Sequence, residues 1–137
     1  MRAAVVFFSG RSNDRVSVLA RALAKGIERQ GHTVDVIDGA KDQSARLTIH
    51  QYIAVGAAPT GTFGGKVPDA VKTFLAAAGA VSGKKCYAFI PKATFGAAKT
   101  LSTLMKCMEG EGMFLKSSDI LRSPAEAEEI GRRLRMG

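Results

Sequence analysis

Ser9-Gly10-Arg11-Ser12-Asn13-Asp14-Arg15 follows an apolar run, Ala3 to Phe8, and leads into a segment of helical periodicity. Small polar side chains at a strand-to-helix corner do one of two jobs. The unpaired N–H groups and the dipole at a helix start attract an anion; Ser9, Ser12 and Asn13 would add hydrogen bonds, Arg11 and Arg15 charge. Alternatively, Ser12, Asn13 and Asp14 are ordinary N-cap residues that satisfy the helix without a ligand. From this loop alone the two readings balance.

Two further loops tip them toward a ligand. Residues 57–67 contain three glycines and a proline, more than a turn requires, and run through Pro59, Thr60, Gly61, Thr62, Phe63 and Gly64. Such a loop lets backbone groups approach a bound molecule closely. The Thr62-Phe63-Gly64 pattern then recurs as Thr94-Phe95-Gly96. Two aromatics at one edge suit a flat, partly apolar ring system with backbone amides at its rim. The plainer alternative is that each phenylalanine plugs a gap beneath its own loop.

The elements that must position these loops alternate, strand then helix, along the chain, which predicts an α/β domain with a mostly parallel sheet. The first strand, Ala3 to Phe8, is apolar on both faces and is expected to be central. Val16, Leu19, Ala20, Leu23 and Ile27 form the buried stripe of the first helix, which Gly31 stops. "TVDVID" alternates like a strand nearer an edge, and "YIAVG" is the third strand. Pro68 opens a helix with Val71, Phe74, Leu75 and Ala78 inward. "CYAFI" is the fourth strand, and Leu101, Leu104, Met105 and Met108 face the core from the next helix. "MFL" with "DIL" supplies the fifth strand. Ser123-Pro124-Ala125-Glu126 is a capping-box start for the last helix, with Ala127, Ile130 and Leu134 inward. Residues 40–51 are expected to connect with at most one helical turn.

The 137 residues, 46% hydrophobic, suffice for one core, so a single domain over 1–137 is expected. The N-terminal apolar run ends at Ser9 before reaching signal or membrane-spanning length, which implies a soluble cytoplasmic protein with no membrane association. Cys86 and Cys107, without a CxxC or a histidine cluster, read as buried free thiols and leave no metal site. His32 and His50 adjoin turn-like segments and are expected at the surface. The net charge of +8 invites a nucleic-acid reading, but the cations are scattered and no basic run is interleaved with aromatics. The densest group, Arg132, Arg133 and Arg135, complements a helix C-terminus.

Ligands of open α/β sheets bind beyond the carboxyl ends of the strands, where strand order reverses. That rule selects the three loops above. Together with the element order and the length, they make the chain resemble the short-chain flavodoxins from end to end. The resemblance implies a three-layer flavodoxin-like fold with five parallel strands in the order 2-1-3-4-5, FMN at the first loop, and electron transfer between redox partners. Where the family's first loop runs Ser/Thr-x-Thr-Gly-x-Thr, this chain has Arg11 for the first Thr, Ser12 for the Gly and Asp14 for the last Thr. "GAAPTGTFGG" resembles the family's third-strand loop, which implies that Gly61 to Gly64 reach the redox-active edge of the flavin. "PKATFGAAKTL" resembles the fourth-strand loop, with Phe95 as ring partner.

Asp14 and the basic charge depart from the family. A carboxylate about 4 Å from a phosphate costs roughly 4 kcal/mol per pair of unit charges at an effective dielectric near 20. Arg11 and Arg15 offset that only if both turn inward. The family is typically acidic, so a redox partner of this basic chain is expected to present an acidic surface or to be of another kind. The preferred reading is an FMN-binding carrier of electrons rather than a substrate-converting enzyme. Two others are kept: a flavodoxin-fold domain that has lost FMN and serves as an interaction module, and a small flavin-dependent reductase of quinone-type acceptors. A phosphorylated receiver domain is set aside, because Phe7, Phe8 and Ser9 stand where it needs acids.

Overall fold

The computed structural model describes residues 1–9, 15–60, 65–93 and 95–137. Five strands, β1 (Arg2–Phe8), β2 (Thr33–Asp38), β3 (Tyr52–Ala57), β4 (Lys85–Pro91) and β5 (Phe114–Leu121), alternate with α1 (Arg15–Glu28), α2 (Ala70–Ala77), α3 (Ala97–Gly110) and α4 (Pro124–Arg133). All pair in parallel in the order β2-β1-β3-β4-β5. This is the expected order, with β1 inside the sheet and β2 at its edge.

Strands covered on both faces must be apolar at every position, and β3 is buried throughout. Ala3, Val5, Phe7, Tyr52, Ala54, Tyr87 and Phe89 pack with Leu19, Leu23 and Ile27 of α1 and Ala127 of α4. Ala4, Val6, Phe8, Ile53, Val55, Ala88 and Ile90 pack on the other face with Val71 and Phe74 of α2 and Leu104 and Met108 of α3. The predicted stripes of α1 and α2 are fully inward. On α3, Leu104 and Met108 are buried whereas Leu101 and Met105 are partly so.

Helices α1 and α4 meet at glycines. A Cβ on Gly26 would overlap the Glu128 carbonyl, and one on Gly131 would overlap the Leu23 carbonyl. The Ser123 hydroxyl accepts from Glu126 N at 3.2 Å, as the capping signature predicts, while the Glu126 carboxylate accepts from Arg122 N at 2.8 Å. Residues 40–51 hold turns and no helix.

Several expectations are corrected. Helix α2 starts at Ala70 behind Asp69, not at Pro68, because a tight turn from Val71 N to Pro68 O precedes its helical ladder. The fifth strand is one element, as expected, and the structure adds a register shift opposite Cys86 and Tyr87 that passes over Lys116. His50 is 4% exposed rather than at the surface, because its Nε2 lies 2.7 Å from an Asp35 oxygen. Cys86 is buried as expected, but Cys107 is half-buried; both are free. No helix among the described residues is long and apolar enough to cross a membrane.

Candidate functional site

Strand order reverses between β1 and β3, whose neighbours β2 and β4 lie on opposite sides. At the carboxyl ends of the strands there, a cavity of about 290 Å³ is lined by Arg15 and Val16 of α1, Ala58 and Pro59 after β3, and Pro91, Lys92 and Ala93 at the end of β4. One wall is the first turn of α1, and among the described residues the cavity's two charged side chains are both cations. Such a lining favours an anionic group beside an apolar one.

Arg15 was expected to supply charge to an anion. Its Nη1 donates to the Lys92 carbonyl at 2.8 Å, tying the start of α1 to the loop after β4. The first and fourth loops thus share one side chain. Ser9 is half-buried at the end of β1. Gly10, Arg11, Ser12, Asn13 and Asp14, the centre of the predicted anion loop, lie outside the described residues, as do Gly61, Thr62, Phe63, Gly64 and Thr94.

The loop after β3 is closed at its base. Thr60 pairs with Lys66 across it, Thr60 N donating to Lys66 O at 3.0 Å. Gly65, at φ +86°, donates to Thr100 Oγ1 at 2.8 Å and accepts from Thr103 Oγ1 at 2.7 Å. Its positive φ and the Lys99 stem lying over its α-carbon suit glycine there. Thr100 and Thr103 therefore anchor the third loop to α3. Sequence reasoning missed both threonines and Lys92. No spacing in the sequence singles them out, and Thr100 is distinguished only by its full burial in the fold.

Phe95 is 63% exposed. It therefore does not plug a gap beneath its loop. It immediately precedes Gly96, the left-handed N-cap of α3 at φ 69°, and no side chain among the described residues caps that helix start. The expected aromatic and the expected glycine thus stand next to backbone donors not met by a capping side chain.

Three solved structures superpose on nearly the whole chain. A flavodoxin from the domain Archaea is 21% identical, with a TM-score of 0.69, covering 97% of this chain and 95% of its own. Flavodoxin 1 of Bacillus cereus is 18% identical, with a TM-score of 0.71 and 94% of each chain covered. The chain has the flavodoxin-like fold. A WrbA-like flavodoxin from Agrobacterium tumefaciens is 20% identical, with a TM-score of 0.63, covering 96% of this chain and 93% of its own. Neither a family model nor a curated protein matches the sequence. On this flavodoxin-like fold the cavity sits at the switch point where the general rule for open sheets puts a ligand.

Other groups with chemical potential lie away from it. Burial, reinforced by the charge of Glu109, pushes the Cys86 thiol up to about 12, so it is not a thiolate at neutral pH. Burial also raises Tyr87, whose hydroxyl donates to Asp119 at 2.9 Å. The hydrogen bond from Arg2, with that from His50, holds Asp35 below the ordinary carboxylate range against the opposing effect of burial. This last cluster lies at the amino edge of the sheet, opposite the cavity.

Proposed function

We propose that this chain binds FMN and transfers electrons. The observation that carries the proposal is the cavity at the β1/β3 switch point, where Arg15 and Lys92 meet the first turn of α1 beside the apolar walls of Val16, Ala58 and Pro59. This donor set fits a phosphate-bearing group with an apolar portion. Ser9, Arg15 and Lys92 would hold the phosphate end, and Pro59, Thr60, Phe95 and Gly96 the ring; bound FMN supplies the capacity to accept and release electrons. Arg11, Asp14 and the Thr62-Phe63-Gly64 segment belong to the proposed site on sequence grounds. A carrier needs no substrate lid, and in this reading the chain's own residues bind and orient the flavin and adjust its surroundings.

The test is titration of the purified protein with FMN, followed by quenching of flavin fluorescence. Binding is expected; none at high micromolar FMN overturns the proposal. Arg15→Ala removes a charge-assisted donor and is expected to weaken FMN roughly tenfold or more. Arg11→Ala weakens it as well, and Asp14→Thr strengthens it. Asp14 favours the second reading, an interaction module that has lost its flavin, because a carboxylate at a phosphate loop competes for the anion's place. Absence of FMN binding that Asp14→Thr restores would select that reading.

A further inference from the structure

The segment from Tyr52 to Met108, which carries the loops after β3 and β4, contains seven lysines, no arginine and a single carboxylate, Asp69. Its charge is therefore predominantly positive, whereas α4 mixes both signs. Three of the seven sit at the carboxyl edge beside the proposed flavin site: Lys66 closes the third loop, Lys92 lines the cavity and Lys99 lies in the first turn of α3. All three are exposed, and among the described residues none has a carboxylate within ion-pair distance. Phe95, 63% exposed, belongs to the same edge, just ahead of α3.

We propose that Lys66, Lys92, Lys99 and Phe95 form the docking face for an acidic surface of a protein partner. Exposed cations around an aromatic anchor speed encounter with an oppositely charged surface, and the anchor provides the desolvated contact at its centre. Lysine suits this role. Its compact, flexible charge adapts to a passing carboxylate surface, whereas arginine's rigid fork is the group for bidentate phosphate recognition. Among the described residues, one aromatic is exposed among cations spread over three elements, without the continuous basic track and successive stacking platforms that single-stranded nucleic acid uses. The partner's role as electron donor or acceptor rests on the proposed flavin binding; the docking itself does not.

The experiment measures fluorescence anisotropy of a labelled oligoglutamate peptide with the full chain, without added FMN, over a range of salt concentrations. Binding is expected at low salt, weakening as salt rises. K66E/K99E is expected to weaken it about tenfold or more, whereas K25E/K116E, an equal charge change on exposed lysines elsewhere, weakens it about twofold or less. An oligoglutamate peptide with one central leucine is expected to bind several-fold tighter than oligoglutamate, a gain that F95A removes without altering the salt dependence. No peptide binding, equal losses in the two double variants, or tighter binding of oligothymidylate than of the peptide at the same lysines would each overturn the proposal. A separate FMN titration of the wild-type chain reports on the flavin reading, so failure of one is not mistaken for failure of the other.

Discussion

At the amino edge of the sheet, a cluster of charges is matched within the fold: Asp35 accepts from Arg2 Nε at 2.9 Å and lies 2.7 Å from His50 Nε2, while Gln51 Oε1 accepts from Arg2 N at 2.7 Å. Nearby, Lys84 Nζ donates to the carbonyls of Leu47 and Thr48 at 2.7 and 2.8 Å. At the carboxyl edge, Lys66, Lys92 and Lys99 are exposed, with no ion-pair partner among the described residues. Polar groups matched within the fold contribute to stability, since losing a partner strands a desolvated group. Exposed unmatched charge contributes little to stability and is left for something outside the chain. The two ends of the same strands thus divide between holding the fold and, in the proposed function, meeting a ligand.

Breaking the cluster at the amino edge is expected to have the largest effect on stability. Asp35→Ala leaves His50 without its hydrogen-bond partner at 4% exposure and is expected to cost about 1–3 kcal/mol in urea unfolding. A loss below about 0.5 kcal/mol would show that the cluster is not structural.

The same cluster has a pH signature. Because Asp35 titrates below its ordinary value in the folded state, its stabilisation is present above the unfolded value of about 3.9 and is lost as pH falls through the lower folded value. The stability gap between wild type and Asp35→Asn is therefore expected to be widest at neutral pH and to close below about pH 4. A gap that stays constant into acid would separate the cluster from the charge of Asp35.

Thr103→Val tests the anchor between the two regions' roles. It removes the hydroxyl that donates to Gly65 O and is expected to cost about 0.5–1.5 kcal/mol of stability. Within the proposed function it also weakens FMN several-fold by loosening the third loop; unchanged FMN affinity would remove Thr103 from the positioning of that loop. The smallest effects are expected at the carboxyl edge. Lys66→Gln and Lys99→Gln should each change stability by no more than about 0.5 kcal/mol in the same unfolding measurement. A larger loss in either would mean that this edge, too, holds the fold together.

Much of the architecture was legible locally. The stripe Val16, Leu19, Ala20, Leu23 and Ile27 is buried as its spacing predicts, and the Ser123–Glu126 cap forms. The fifth strand joins "MFL" to "DIL" as expected, but the bulge between them was not legible, because it is defined by the register against β4. His50 was misplaced because its partner, Asp35, is on β2, two strands away from the start of β3 in the sheet. The location of the proposed site was read from the three loops and the strand order, and the described cavity lies at that end of the strands. Its wiring through Lys92, Thr100 and Thr103 did not, since those residues carry no distinctive spacing.

The amino-acid sequence by itself determined what short-range periodicity, capping and turn chemistry encode: the succession of elements, their inward faces, and the loops that meet at the strands' carboxyl ends. Tertiary structure alone decided which distant groups touch. Arg15 reaches the carbonyl of Lys92, 77 residues away, and Gly26 admits the backbone of α4. The reason is physical: a helix or strand is recognisable from side chains a few positions apart, whereas a hydrogen bond or a close backbone approach between elements exists only once the sheet has brought them together.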